Sequence, residues 1–394
     1  MSSAVFLNAM GVVCALGMDP AAVRQGLFAE ACGGVVETDR YTPGRPLHLG
    51  LLPSEVALPA ATPLHQRSRN NAVLAAALAE PRAAIDAAIA RFGPGRVAVI
   101  LGVSTSGVEE GERASRVWQA EGRWPDGFSY ALQEMGNAAE WLAGELGTCG
   151  PAHVISTACS SGAKALASGA RLLRAGLVDA VVAGGVDALC EFTIAGFSAL
   201  ESVSAARCNP MSVNRSGINI GEGAALFLMT REPGPLRLMG WGEGSDAHHM
   251  SAPDPTGRGA EEVIRQSLSR AGLAPEAIDY VNLHGTATPL NDAMESAAVA
   301  QVLGRDVPVS STKPLTGHAL AAAGAIEAAI AWLTLVDNPQ GHLPPHWWDG
   351  ARDPQLPALH LVAPGQRLGR SPRHVLSQSF AFGGSNAALL FGAA

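Results

Sequence analysis

The chain has 394 residues, of which 47% are hydrophobic and only 16% charged, and its formal net charge is −8. That length exceeds one small domain, and such a composition leaves apolar surface for a partner chain to cover, so an oligomer is expected. The negative balance and the lack of any basic run argue against nucleic-acid binding.

The elements follow in chain order. The N-terminal stretch SSAVFLNAMGVVCALGM has no basic flank and is broken by Gly11 and Gly17, so it reads as a first strand and turn, not a signal peptide. A helix is expected over Asn71–Ala90, then strands at Val97–Leu101 and His153–Ser156, a small-residue helix over Ser160–Ala175, and strands at Ala180–Ala183 and Ala224–Met229. The turn cluster Arg231-Glu232-Pro233-Gly234-Pro235 marks a boundary between two halves, residues 1–232 and 236–394. Beyond it come a helix over Ala260–Ala271, a strand at Tyr280–Leu283, a helix over Asp292–Leu303 and a strand at Val307–Ser310. The apolar stretch Leu315–Val336 is long enough for a membrane span, but His318, Glu327 and several small residues suit a helix buried in protein. Arg352–Arg373 reads as a surface excursion before a last strand at Ala387–Phe391. Alternating strands and helices give an α/β fold. HVISTACSSGAKALASGARLL and VPVSSTKPLTGHALAAAGAIEAAIAWL share a strand, a Ser-Thr turn and a small-residue helix, a weak sign of duplication that puts Cys159 and His318 at related places.

Six cysteines, Cys14, Cys32, Cys149, Cys159, Cys190 and Cys208, show neither metal-site nor small-scaffold spacing and fit a reducing cytosol. Cys159 stands where a strand hands over to a helix, so the helix N-terminus favours its thiolate; a buried structural cysteine is the other reading. His284 in HGTATP and His318 in KPLTGH each sit in a glycine-containing turn after a strand, where a satisfied core histidine is the bland alternative. Phe380-Ala381-Phe382-Gly383-Gly384-Ser385-Asn386 is a glycine hinge before the last strand, or an ordinary loop. Lysine occurs only as Lys164 and Lys313, which raises the question of what each does.

Taken together and in this order, TACSSG, HGTATP, KPLTGH and FAFGGSN resemble the β-ketoacyl-acyl carrier protein synthases, specifically the elongating group with a Cys-His-His triad. The resemblance implies a thiolase fold, two similar halves in a five-layer αβαβα sandwich, and a dimer, with itself or with a related subunit. It implies decarboxylative Claisen condensation of an acyl thioester with a malonyl thioester, an acyl carrier protein as partner, a cytoplasmic setting, and neither cofactor nor metal. Carried over by motif, Cys159 is the acylated nucleophile, His284 and His318 the two histidines, and Lys313 the lysine of the second histidine motif. Phe382 is the gating phenylalanine, its N–H and that of Cys159 the oxyanion hole, Phe380 an aromatic beside the malonyl group, and Thr286 and Thr288 further substrate-binding residues. Glu327 supports the site, and Gly383 and Gly384 form the hinge.

Four positions depart from the family pattern: Ser212 where an acid is common, Ile218 where an aromatic is common, and Asn291 and Ala381 where glycines are common. They point to a specialised branch, such as polyene or polyketide synthesis, over housekeeping fatty-acid elongation. A degradative thiolase needs a second cysteine near the C-terminus, and none follows Cys208; an initiating synthase lacks the second histidine motif. A non-catalytic subunit that shapes a partner's pocket is the alternative from another class, and such subunits typically lose the nucleophile. Arg67, Arg69, Arg116 and Arg123 are candidate docking cations for an acidic carrier.

Overall fold

A computed structural model describes residues 4–394. The strands are β1 (Val5–Val13), β2 (Val36–Thr38), β3 (Leu47–Leu49), β4 (Val97–Gly102), β5 (Ala152–Ile155), β6 (Ala180–Asp187), β7 (Gly223–Thr230), β8 (Leu236–Ser245), β9 (Tyr280–Asn282), β10 (Pro308–Ser310), β11 (His360–Leu361), β12 (His374–Phe380) and β13 (Ser385–Ala393). Ser2 and Ser3, at the start of the expected first strand, lie outside the described residues. Among the described residues, eleven strands hydrogen-bond in the order β11-β10-β9-β12-β13-β8-β1-β7-β6-β4-β5, and β2 and β3 form a separate hairpin.

The strand order repeats. Before Arg231 it runs first, fifth, fourth, second, third (β1-β7-β6-β4-β5); after Pro235 the same order is β8-β13-β12-β9-β10. Pair orientations repeat too, antiparallel for the first two pairings of each set and parallel for the last two. Among the described residues, the two sets pair strand to strand only through Val5–Leu7 against Leu236–Leu238. The two segments that look alike in sequence therefore follow the third strand of each set, β5 and β10.

Three apolar clusters fill the four interfaces of five layers, the central one spanning two. One packs helices Arg69–Leu78, Arg82–Phe92 and Asn137–Leu146 on the outer face of the first set. Another packs helices Arg258–Ala271 and Pro289–Leu303 on the outer face of the second. The largest lies between the sets and holds helices Ser161–Arg174 and Ala323–Leu335. This is the αβαβα architecture, with a sheet continuous through the β1–β8 seam. Strands β6 and β7 are buried along their whole length, which is why they read as unbroken apolar runs without alternation.

Two expected helices differ. Asn71–Ala90 is two helices broken at Pro81, since proline lacks the N–H and its ring clashes with the preceding turn. Leu315–Val336 is not one helix: a turn at Lys313–Thr316 and a 3-10 turn at Leu320–Ala322 precede the helix Ala323–Leu335. Its uniform apolarity reflects burial between the two strand sets, and no helix among the described residues is long and apolar enough to cross a membrane. Strands β8 and β12 do not stand out in the sequence, because β8 carries four glycine or tryptophan positions in its middle and β12 carries the consecutive polar residues Ser377, Gln378 and Ser379.

Candidate active site

The motifs converge at the carboxyl ends of parallel strands, where open α/β sheets leave a crevice. Cys159 follows β5, His284 follows β9, His318 follows β10, and Phe382 lies in the turn between β12 and β13. Ala158, immediately before Cys159, adopts φ +50°, a left-handed conformation costly for a non-glycine residue, and the turn is pinned by the Thr157 N–H donating to Ser161 Oγ at 2.8 Å. The helix Ser161–Arg174 begins two residues after Cys159, so the sulfur stands at its N-terminus.

Cys159 Sγ lies 2.9 Å from His318 Nε2. The sulfur and one ring nitrogen from each of His284 and His318 all fall within 4.8 Å of one another. The imidazoles meet edge to face, centroids 5.3 Å apart, and Phe380 stands edge-on to His284 at 6.1 Å. The Phe382 N–H is directed at the sulfur, and its half-buried ring packs against Phe197 at 5.7 Å. Behind the imidazoles, the buried Lys313 Nζ donates to Glu327 Oε1 and to the His284 carbonyl.

Burial pushes the Cys159 thiol up to about 12, while the Lys313 ammonium and the Phe382 amide pull it down. The resting group is therefore a thiol, and the thiolate expected from the helix N-terminus is outweighed by desolvation. Burial, then Lys313, holds both histidines well below the usual imidazole range, so both are neutral. Glu327 is pushed up to about 7 by burial, offset in part by Lys313. A thiol and two imidazoles are also a donor set that transition metals accept. Here the Lys313 ammonium acts on all three groups, and at the sulfur its ion-pair partner Glu327 acts in the opposite sense.

One cleft is lined by Cys159, His284, His318, Phe380 and Phe382, with Thr286, Thr288 and Asn291 on one wall and Phe197 and Ile218 on another. Thr286 and Thr288 are hydrogen-bonded to each other at 2.9 Å. Gly383 and Gly384, at φ +82° and +75°, give the hinge turn its shape; Ala381 is extended at φ −101°, so this position has no need of glycine. Asn291 donates to Asp292 Oδ1 and Glu295 Oε2, each at 3.2 Å, bridging two buried carboxylates. Ser212 donates to Asp349 Oδ1 at 2.8 Å, so a carboxylate reaches that turn from another segment.

Three buried acids hold this arrangement and escaped notice in the sequence. Glu295 accepts the His284 and Gly285 N–H groups at 2.6 and 2.7 Å, Asp292 accepts the Met211 N–H at 2.8 Å, and Asp187 accepts those of Ser104, Thr105 and Ala321 at 2.8, 2.8 and 2.7 Å. The available signal was an acid closing the apolar run of β6, and two acids three residues apart after HGTATP. Arg69 drops out of the docking set, because its side chain is only 11% exposed and forks onto buried Glu222. Arg67 donates to the Thr62 and Ala60 carbonyls, while Arg116 and Arg123 already pair with Glu191 and Glu121.

The family models "Beta-ketoacyl synthase, N-terminal domain" and "Beta-ketoacyl synthase, C-terminal domain" match residues 72–233 and 237–346. The chain is 31% identical over 314 residues to a 3-oxoacyl-[acyl-carrier-protein] synthase 2 of Staphylococcus aureus, covering 75% of this chain and 77% of that one. It is 33% identical over 264 residues to the namesake of a Synechocystis strain, a match that spans 62% of either chain. Among solved structures, a ketosynthase from Xenorhabdus doucetiae in complex with its chain length factor superposes with a TM-score of 0.94 at 43% identity, covering 100% of this chain and 98% of that one.

Proposed function

The chain belongs to the β-ketoacyl synthase family, and on that premise we propose that it extends acyl chains by decarboxylative Claisen condensation on acyl carrier protein. The observation that carries this reading is the Cys159 sulfur 2.9 Å from His318, with His284 beside them in the same cleft.

Loading comes first. Cys159 sulfur attacks the acyl thioester carbonyl, its proton passes to His318 Nε2, and the N–H groups of Cys159 and Phe382 receive the oxyanion. The carbonyl re-forms, the carrier sulfur leaves, and the proton from His318 goes to that sulfur. Condensation follows. A malonyl thioester enters past Thr286 and Thr288 with its thioester oxygen between the two imidazoles. The carboxylate departs as carbon dioxide, its bonding pair becomes the enolate, and N–H donation from neutral His284 and His318 stabilises the negative oxygen. The enolate carbon attacks the acyl-Cys159 carbonyl, the C–S bond breaks, the released Cys159 thiolate takes up a proton from water to return to the resting thiol, and a 3-oxoacyl chain two carbons longer leaves on the carrier. Lys313 and Glu327 hold the His284 segment in place, and Gly383 and Gly384 let Phe382 move aside.

The Xenorhabdus doucetiae ketosynthase was solved with its chain length factor, and we infer a related subunit as partner here. Identity of 43% along the whole chain supports this, as does the outer edge of β5, which pairs only with β4 among the described residues. The same likeness favours a polyene or polyketide branch. The repeated strand order supports dividing the chain into halves 1–232 and 236–394. Six free cysteines agree with a cytoplasmic setting. A non-catalytic subunit has no use for a thiol held against an imidazole.

Intact-mass measurement after mixing with a panel of acyl carrier thioesters tests this reading. An acyl adduct on Cys159 that disappears in Cys159→Gln, together with loss of condensation, is expected. Condensation surviving in Cys159→Gln overturns the nucleophile assignment.

A further inference from the structure

Of the two lysines in the chain, the mechanism above uses Lys313 and leaves Lys164 without a task. Lys164 lies in the first turn of helix Ser161–Arg174, the helix that starts just past Cys159. Its Nζ crosses from the first strand set to the second and donates to Ser385 Oγ at 2.5 Å. The hydroxyl of Ser160, the neighbour of Cys159, lies 3.1 Å from the same oxygen. Ser385 in turn closes the glycine turn, since its carbonyl accepts the Ala381 N–H at 3.0 Å and the Gly384 N–H returns to the Ala381 carbonyl at 3.0 Å. That turn carries the Phe382 amide directed at the sulfur.

At its tip the turn is open, although the Phe382 ring rests on Phe197. Gly383 has open space where a side chain would stand. Polar links fix it instead: on one side the Gly383 N–H to the Met250 carbonyl and the Asp246 N–H to the Gly384 carbonyl, each 2.8 Å, and on the other Lys164 and Ser160 at Ser385. Only the second pair refers the turn to the helix that holds the nucleophile. An ammonium donor makes a stronger link than a neutral hydroxyl, and the four-carbon stem lets it span the gap from one turn down the helix.

We propose that Lys164 is a positioning residue for acyl transfer: by tying Ser385 to the nucleophile helix it sets the Phe382 amide where it shares an oxyanion with the Cys159 amide. This rests on the proposed function. It separates the two chemistries of the site, because the oxyanion amides serve the steps at the Cys159 acyl carbon, whereas malonyl decarboxylation depends on His284 and His318.

The test compares two rates in the full-length protein with its partner subunit: octanoyl loading from octanoyl-carrier protein, read by intact mass, and carbon dioxide release from malonyl-carrier protein without an acyl donor. In Lys164→Met, loading is expected to fall at least tenfold further than decarboxylation, with the loss in kcat and not in KM for the carrier. Lys164→Arg, which keeps a charged donor, is expected to recover most of it. Equal losses in both rates, or unchanged loading, overturn the proposal. Should Lys164→Met fail to fold, Ser385→Ala removes only the shared oxygen and carries the same comparison. A wild-type protein that neither loads octanoate nor releases carbon dioxide removes the proposed function itself, a result distinct from either outcome for Lys164.

Discussion

At the scale of single residues, the site is a set of neutral groups kept neutral by burial, with one ion pair behind them. The Lys313–Glu327 pair is 2% and 5% exposed in its side chains, and breaking such a pair leaves a charge without a partner. Glu327→Leu is expected to destabilise the protein by about 3–5 kcal/mol in chemical denaturation, since the ammonium stays buried. Lys313→Met should cost less, because Glu327, already raised to about 7, takes up a proton once the ammonium is gone. Asn291 is a further case. Its amide satisfies Asp292 and Glu295 at once, so Asn291→Gly, the residue more usual for the family, removes two hydrogen bonds to buried carboxylates. A loss of about 1–3 kcal/mol in the same assay is the expected result.

At the scale of elements, the distance between Cys159 and His318 is set by how closely two central segments approach. Gly162, three residues after Cys159, has no room for a side chain: a Cβ there would stand 2.8 Å from both the Ala321 carbonyl oxygen and the Ala325 nitrogen. Those atoms belong to the segment that carries His318 into helix Ala323–Leu335. Gly162→Ala must therefore push the helices apart, at an expected cost of about 1–3 kcal/mol from overpacking. Because the same shift lengthens the 2.9 Å sulfur–imidazole contact, acyl loading on Cys159 should slow by about tenfold or more, measured by intact mass at a temperature where the variant is fully folded. Unchanged loading would mean that the helix spacing does not govern the contact.

At the scale of the whole molecule, buried carboxylates make stability depend on pH. Glu295 is raised by burial to about 8 and Asp292 to about 6, both above their ordinary values. A carboxyl whose folded-state value is raised holds its proton in the native chain while the unfolded chain releases it, so stability is full below the ordinary carboxyl range and falls as pH rises toward 8. Glu295→Gln should flatten part of that decline in denaturant midpoints measured from pH 5 to pH 8; an identical slope would remove Glu295 as its source. The chain alone determined much of the rest. The α/β class and the four motifs are written in local periodicity, turn residues and short spacings, which a linear reading can detect. The tertiary structure decided which groups meet: the Asp187, Asp292 and Glu295 carboxylates beside the segments that carry His284 and His318, the reach of Lys164 to Ser385, and the withdrawal of Arg69 onto Glu222. Those contacts join residues as far as 221 positions apart, and burial, not sequence spacing, fixes the charge state of the groups they enclose.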